Sequence, residues 1–267
     1  MLRFSGAGVS DAGRVRPHNE DSGFVAPYVA LVADGVGGAA AGEIASATAA
    51  YAVSAMVLAH GLEDPERVLT VAVEAAVASI RRGVQEDLNR LGMATTLSVL
   101  VCDGSRVVLG HVGDSRAYHL RDGRLTQISS DHTYVQRLVD SGQLARDAVS
   151  RHPWRNVVLR SLDGDPVGNE VDLVPVPVLS GDRLMLCSDG LTDLVDDARI
   201  AEVLKLQDPH SAAAVLTHSA LLAGGRDNVT CIVLDVVDGP VVVGDGQLLG
   251  ALRDIHNVVD PSAVRLA

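Results

Sequence analysis

Residues 28–59 read YVALVADGVGGAAAGEIASATAAYAVSAMVLA. A short apolar run that stops at Asp34-Gly35 and a glycine cluster has the length and boundary of a buried strand, here Val25 to Ala33. The Ala-rich stretch behind it, about Ala40 to Ala59, predicts a helix. Its most apolar part, Ile44 to Ala59, is shorter than the roughly 20 residues of a bilayer span and carries Ser46, Thr48 and Ser54, so it reads as a buried helix, with no membrane span. A second helix is expected from Pro65 to Leu91, with Asp64 as N-cap, Pro65 in the first position and Gly92 as the stop. Its apolar set Val68, Leu69, Ala72, Ala75, Ala76 and Ile80 recurs at helical spacing.

Past residue 94 the pattern returns to strands: Thr95 to Cys102, Arg106 to Val112, Ala117 to Arg121, Arg124 to Ile128, Val171 to Leu179, Arg183 to Cys187 and Val229 to Val237. Asp103-Gly104 and Asp122-Gly123 mark hairpins between neighbours. Strands grouped around a helical block, without steady alternation, favour an α+β fold over a doubly wound sheet. No linker or repeat divides residues 1–237, which read as one domain. The tail, 238–267, changes to Gly/Pro turn signals, an apolar run Val241 to Val243 and a short helix expected from Gln247 to Val258; it reads as an added surface element without an assigned role.

The 267 residues are 47% apolar, enough for a sizeable core, and 34 Asp and Glu against 22 Lys and Arg leave a net charge of −12. That balance works against binding nucleic acid or an anionic membrane, both of which need clustered cations. Cys102, Cys187 and Cys231 are odd in number and lie in apolar runs, and the N-terminus has no long apolar segment, so a reducing cytoplasm is expected.

Chemistry is suggested by aspartates at the ends of apolar strands: Asp34-Gly35, Asp114 in VLGHVGDSRAY, Asp189-Gly190 after RLMLCS, and Asp227-Asn228 before VTCIVLDVV. Taken singly each is an ordinary turn. A carboxylate against a buried strand is costly unless paired or bound to a cation, so four of them suggest a shared ion. Oxygen ligands without a Cys or His cluster favour Mg²⁺ or Mn²⁺ over Zn²⁺. Ion-activated water is then the natural nucleophile, and a phosphate ester the natural substrate. Arg16, four residues before Glu20, is the candidate phosphate fork; the alternative is a surface ion pair with Glu20.

In chain order the motifs are R16-x-x-N19-E20-D21, V32-A33-D34-G35-V36-G37-G38, A94-T95-T96, G113-D114-S115-R116, L125-T126-Q127-I128-S129-S130-D131-H132, C187-S188-D189-G190-L191 and R226-D227-N228-V229-T230. Over residues 5–237 this series resembles the metal-dependent protein phosphatases, the protein phosphatase 2C family, in its compact bacterial form. The resemblance implies a four-layer αββα sandwich, two antiparallel β-sheets flanked by helices, with two Mn²⁺ or Mg²⁺ ions at one end. It implies that Asp34 bridges the ions, that the Gly35 carbonyl, Asp189 and Asp227 are further ligands, and that Asp114 with Asp189 holds a third ion. Glu20 and Asp21 would hold metal-bound waters, Arg16 the substrate phosphate, and Asn228 the phosphate or the attacking water. Thr96 would orient carboxylates without touching metal.

The implied reaction is hydrolysis of phosphoserine and phosphothreonine in proteins by a metal-bridging hydroxide, opposing Ser/Thr kinases. Two departures stand out. Val36 takes the place of a histidine proposed as general acid in many eukaryotic members, leaving His132 or His152 as substitutes or a metal-bound water in that role; and Met93-Ala94-Thr95-Thr96 replaces a Gly-Thr-Thr pattern. Thr133 to Leu162, with Gly142 and Arg137, Arg146, Arg151 and Arg155, resembles the family's mobile flap; an ordinary helical hairpin is the alternative. Two rival functions are a phosphopeptide-binding pseudophosphatase, whose mark would be missing metal aspartates, and a phosphodiesterase or nuclease, which would need a basic groove.

Overall fold

The structure is a computed structural model that describes residues 1–36, 41–165, 167–206, 208–244 and 246–263. Gly37 and Gly38 of the glycine cluster lie outside the described residues. The strands are β1 (Leu2–Asp11), β2 (Asp21–Ala26), β3 (Val29–Val36), β4 (Ala94–Thr95), β5 (Leu97–Cys102), β6 (Val107–Val112), β7 (Arg116–Arg121), β8 (Arg124–Gln127), β9 (Asp172–Val176), β10 (Arg183–Cys187), β11 (Val229–Asp238) and β12 (Gln247–Gly250). The helices are α1 (Gly42–His60), α2 (Pro65–Glu86), α3 (Tyr134–Asp140), α4 (Asp189–Thr192), α5 (Asp197–Leu206) and α6 (Pro209–Leu222).

One antiparallel sheet has the order β1-β11-β10-β7-β8 and the other β12-β2-β3-β5-β6-β9, with β4 paired to β3. Residues such as Val32, Leu100, Leu109, Leu184 and Ile232 form an apolar layer with no exposed surface. Helices α1 and α2 pack with β3 and β5 in a second cluster, and α5 and α6 with β7, β10 and β11 in a third. The result is the expected four-layer αββα sandwich.

The helices differ for physical reasons. On α2 the buried residues Val68, Leu69, Ala72, Ala76 and Ile80 form one face, and Asp64 caps it by accepting the Glu66 N–H at 3.3 Å. It ends at Glu86, and a 3₁₀ turn, Leu88–Arg90, covers the rest of the expected helix. Helix α1 lies over β2 and β3 and under α2 and the C-terminal turns, so it is apolar all round. It is long and apolar enough to cross a bilayer, yet most of it is buried inside the fold.

Two expectations are corrected, and one strand is added that the local pattern does not show. The early strand is a hairpin, β2 and β3, turning at Pro27-Tyr28. Strand β1 pairs with β11 over ten residues, although Gly6 and Gly8 hide its alternation. The helix expected from Gln247 to Val258 is β12 followed by two 3₁₀ turns, Ala251–Arg253 and Ile255–Asn257. Ala251, Leu252 and Val258 join the α1 and α2 cluster, so this segment packs on the same core as the residues before 237.

Candidate active site

One end of the sandwich gathers the strand-end carboxylates. Asp21 opens β2 and Asp34 lies near the end of β3, directly opposite in the antiparallel register, which sets their side chains on one face about 5 Å apart at Cβ. Asp189 opens α4 just past β10, Asp227 precedes β11, and Asp114 sits in the turn between β6 and β7. Asp34, Gly35, Asp114, Asp189 and Asp227 line a cleft of about 530 Å³ together with Arg16, Glu20 and Asn228. Size does not single it out, since a hollow of about 750 Å³ lies between the β7–β8 turn and the start of α6; the density of carboxylates does.

Backbone contacts explain how these groups are held. Thr96 donates its N–H to the Asp34 carbonyl at 2.9 Å and accepts the Asp34 N–H on Oγ1 at 3.0 Å; the same hydroxyl meets Ser115 Oγ at 2.8 Å. It therefore ties the end of β3 to the turn that carries Asp114. Gly42 opens α1 against Glu20, where a Cβ would stand 2.7 Å from Glu20 Oε2, so a residue without a side chain brings the positive helix end to this carboxylate. Asp21 is wholly buried. Its Oδ2 accepts from Ser188 Oγ and Thr230 Oγ1, both at 2.7 Å, and its Oδ1 has no hydrogen-bond partner.

The electrostatics are those of crowded acids. Burial, then the bordering charges of Asp21, Asp189, Asp114 and Asp227, push the Asp34 carboxyl well up. Asp189 is raised by burial and then by Asp114 and Asp193. Burial raises Asp21 and Asp114 each to about 6, and Asp131 adds to the rise at Asp114. Glu20 is raised by burial and then by Glu43, which lines the same cleft from the first turn of α1. Burial and like charge outweigh the nearby cations among the described residues, Arg16 and His18 at Glu20 and Arg116 at Asp114, and a divalent ion is the charge that reverses the effect. Among the described residues no three Asp, Glu, His or Cys side chains close on one point. Small hard ions accept this, because Mg²⁺ is usually held by one or two carboxylates and keeps several waters. The oxygen-only donors and the orphaned Asp21 oxygen thus fit Mn²⁺ or Mg²⁺.

Arg16 reaches the cleft from the loop between β1 and β2 and donates to Asp227 Oδ2 at 2.8 Å, with nearly half of each side chain exposed. That hydrogen bond holds its guanidinium pKa up. Its partner is Asp227, not the Glu20 of the surface-pair alternative. Asn228 lines the cleft, and its side chain is engaged with backbone: Oδ1 accepts the Glu20 N–H at 2.8 Å, and Nδ2 donates to the Ala12 and His18 carbonyls at 2.9 Å each. Its amide hydrogens are both used in fixing the loop that carries Arg16. His132 and His152 are not in the cleft wall. His132 accepts the Gly113 N–H at 3.1 Å, and His152 lies against the Tyr134 and Trp154 rings. Val36 and His18 do line it.

The segment 133–162 folds as α3 and a 3₁₀ turn, Arg146–Arg151, closed by the pairs Thr133↔Val158 and Thr95↔Leu162; its Asn156 and Val158 form part of the cleft wall. Arg155 pairs with Asp193 at 3.5 Å, and Arg137 lies over the Tyr134 ring. Sequence reasoning missed Glu43 and Asp193. Their signals were an acid at the second position of a helix after the glycine cluster, and an acid one helical turn after Asp189.

Residues 18–223 match the family described as Protein phosphatase 2C. The chain is 43% identical over 244 residues to the serine/threonine protein phosphatase PstP of Mycobacterium tuberculosis, an overlap of 89% of this chain and 46% of that protein. It therefore spans about half the length of that relative. The serine/threonine phosphatase stp of Listeria monocytogenes is 35% identical over 239 residues, 85% of this chain and 93% of the relative. A solved structure of the PstP catalytic domain with two manganese ions superposes with a TM-score of 0.83 at 40% identity, covering 89% of this chain and all of that one. The Mycobacterium smegmatis phosphatase MsPP, solved with cacodylate, gives 0.77 at 32% identity, covering 86% and 97%.

Proposed function

This chain belongs to the protein phosphatase 2C family, and from that premise we propose that it hydrolyses phosphoserine and phosphothreonine in proteins with two Mn²⁺ or Mg²⁺ ions. The observation that carries the proposal is the set of carboxylates in one cleft, Asp34, Asp114 and Asp189, raised by burial and mutual repulsion, with the Arg16 guanidinium at the rim.

The bound ions supply an acidified water as nucleophile and neutralise charge on the phosphoryl oxygens. Asp34, the Gly35 carbonyl, Asp189 and Asp227 would hold them, with Asp114 and Asp189 for a third, and Glu20 and Asp21 would hold waters around the ions. Arg16 binds the substrate phosphate. Its half-exposed contact with Asp227 is worth no more than about 1 kcal/mol, so exchanging a carboxylate for a bidentate phosphate is easy. Asn228 acts by positioning, fixing the Arg16 and Glu20 loop through its three backbone bonds. Thr96 keeps the Asp34 backbone and the Asp114 turn in register.

We assign the catalytic groups to residues 1–237, on whose core the C-terminal segment from Gln247 to Val259 packs, and we take phosphorylated products of Ser/Thr kinases as substrates, signal transduction as the setting and the cytoplasm as the location. The described cysteines, all free and buried, suit a reducing compartment. Purified protein should hydrolyse p-nitrophenyl phosphate and a phosphothreonine peptide with Mn²⁺ and stop with EDTA. Equal rates with and without chelator would refute metal dependence, and Mn²⁺ binding without turnover would mark a pseudophosphatase.

A further inference from the structure

Strand β2, which begins with Asp21, has β3 on one side; on the other its only partner among the described residues is the C-terminal strand β12. The register runs from Gln247↔Val25 to Gly250↔Ser22, so β12 ends beside the start of β2. Gly250 has φ +59°, and a Cβ there would run into the Asp21 carbonyl oxygen and stand 3.0 Å from Ser10 Oγ. This backbone thus lies against both the residue carrying the buried carboxylate and the hydroxyl behind it.

That hydroxyl is part of a directed relay. Asn19 Nδ2 donates to Ser10 Oγ at 2.9 Å, Ser10 Oγ meets Thr230 Oγ1 at 2.7 Å, and Thr230 Oγ1 donates to Asp21 Oδ2 at 2.7 Å. Because the Thr230 proton goes to Asp21, Ser10 must be the donor to Thr230. Asn19 Oδ1 accepts the Asp21 N–H at 3.1 Å and closes the ring. The segment is anchored on both sides of Gly250. Before it, the Gln247 amide makes two 3.0 Å bonds to the Gly8 backbone; after it, Ala251 and Leu252 are buried, and Thr48 Oγ1 accepts the Val259 N–H at 3.1 Å.

We propose that Gly250 and Ser10 are positioning residues for Asp21, through which the C-terminal segment backs the metal centre. This role of the segment rests on the reading of the cleft as that centre. With β12 seated, Oδ2 accepts from two hydroxyls, and Oδ1, buried without a hydrogen-bond partner on the residue paired with Asp34, is left free to accept from a metal-bound water. Outer partners of this kind typically change metal affinity 10–100-fold when lost.

The test is calorimetric titration of Mn²⁺ into the full chain, with thermal unfolding in EDTA measured alongside. Gly250→Ala pushes on Asp21 and Ser10. Ser10→Ala cuts the relay between Asn19 and Thr230 without a clash, leaving Thr230 free to turn away from Asp21, and decides the matter should Gly250→Ala not fold. Gly246→Ala is the control, because its Cβ would strike the Phe24 ring and strain the same segment away from Asp21. Expected are Mn²⁺ affinities about tenfold weaker for Gly250→Ala and Ser10→Ala, with Gly246→Ala less stable but binding as the wild type does. Wild-type affinity in folded Gly250→Ala or in Ser10→Ala, or equal weakening in Gly246→Ala, overturns the inference. A wild-type chain that binds no Mn²⁺ refutes the reading of the cleft as well.

Discussion

Strand β10 has an aspartate at each end. Asp182 precedes it and is buried; Arg121 donates to it at 2.9 and 2.5 Å, the Leu179 N–H at 2.7 Å, and His119 Nε2 stands 3.0 Å away. Burial raises its carboxyl, and these contacts outweigh burial and hold it down at about 2. Asp189, past the other end, is also raised by burial, but its neighbours are Asp114, Asp193 and Asp227, and it stays up. One residue type on one strand thus titrates in opposite directions. At the Asp182 end the protein supplies the cation itself; at the Asp189 end it assembles acids whose partner has to come from outside.

The largest break in this comparison is Asp34→Asn. With Mn²⁺ present, kcat on p-nitrophenyl phosphate should fall about 10³-fold or more, because the nucleophile loses its activating ions. Stability in EDTA should hold or rise, since a buried repulsion is removed; unfolding at matched pH reads this directly. Asp182→Asn should do the reverse. It should lower stability at neutral pH by about 2 kcal/mol, the linkage that its lowered folded pKa implies, and leave kcat of the folded fraction unchanged.

Smaller effects sharpen the contrast. Arg16→Ala should lower kcat/KM about 30-fold through the lost charge-assisted phosphate contacts, with Arg16→Lys restoring part of it and the melting temperature unmoved. The pH dependence should follow Asp182. Its folded pKa of about 2 lies below the unfolded value of about 3.9, so its stabilisation is present above pH 4 and lost as pH falls toward 2. Wild type should lose about 2 kcal/mol more than Asp182→Asn between pH 5 and 2 in acid unfolding; parallel curves would contradict the pairing.

Local sequence carried much of this. The cap Asp64-Pro65, the hairpin glycines and the apolar runs at β5, β6, β10 and β11 are decided within a few residues, and they stand where expected. Strand β1 and strand β12 were hidden because each depends on a partner far away in the chain, β11 and β2, and both are interrupted or ended by glycine. At the site, the aspartates were visible as strand ends. The hydroxyls of Ser10, Ser188 and Thr230 behind Asp21 were not, because nothing local distinguishes a serine that orients a carboxylate from one that faces water. The bonds of Asn228 are hidden for the same reason, all three running to residues more than 200 positions away.

The claim that the carboxylate end requires a cation from outside is tested most directly by titrating Mn²⁺ into the metal-free wild-type chain and into Asp34→Asn by calorimetry. Wild type should bind at least two ions per chain with release of protons, and Asp34→Asn should lose both. No binding to wild type, or the same stoichiometry and affinity in Asp34→Asn, would contradict it.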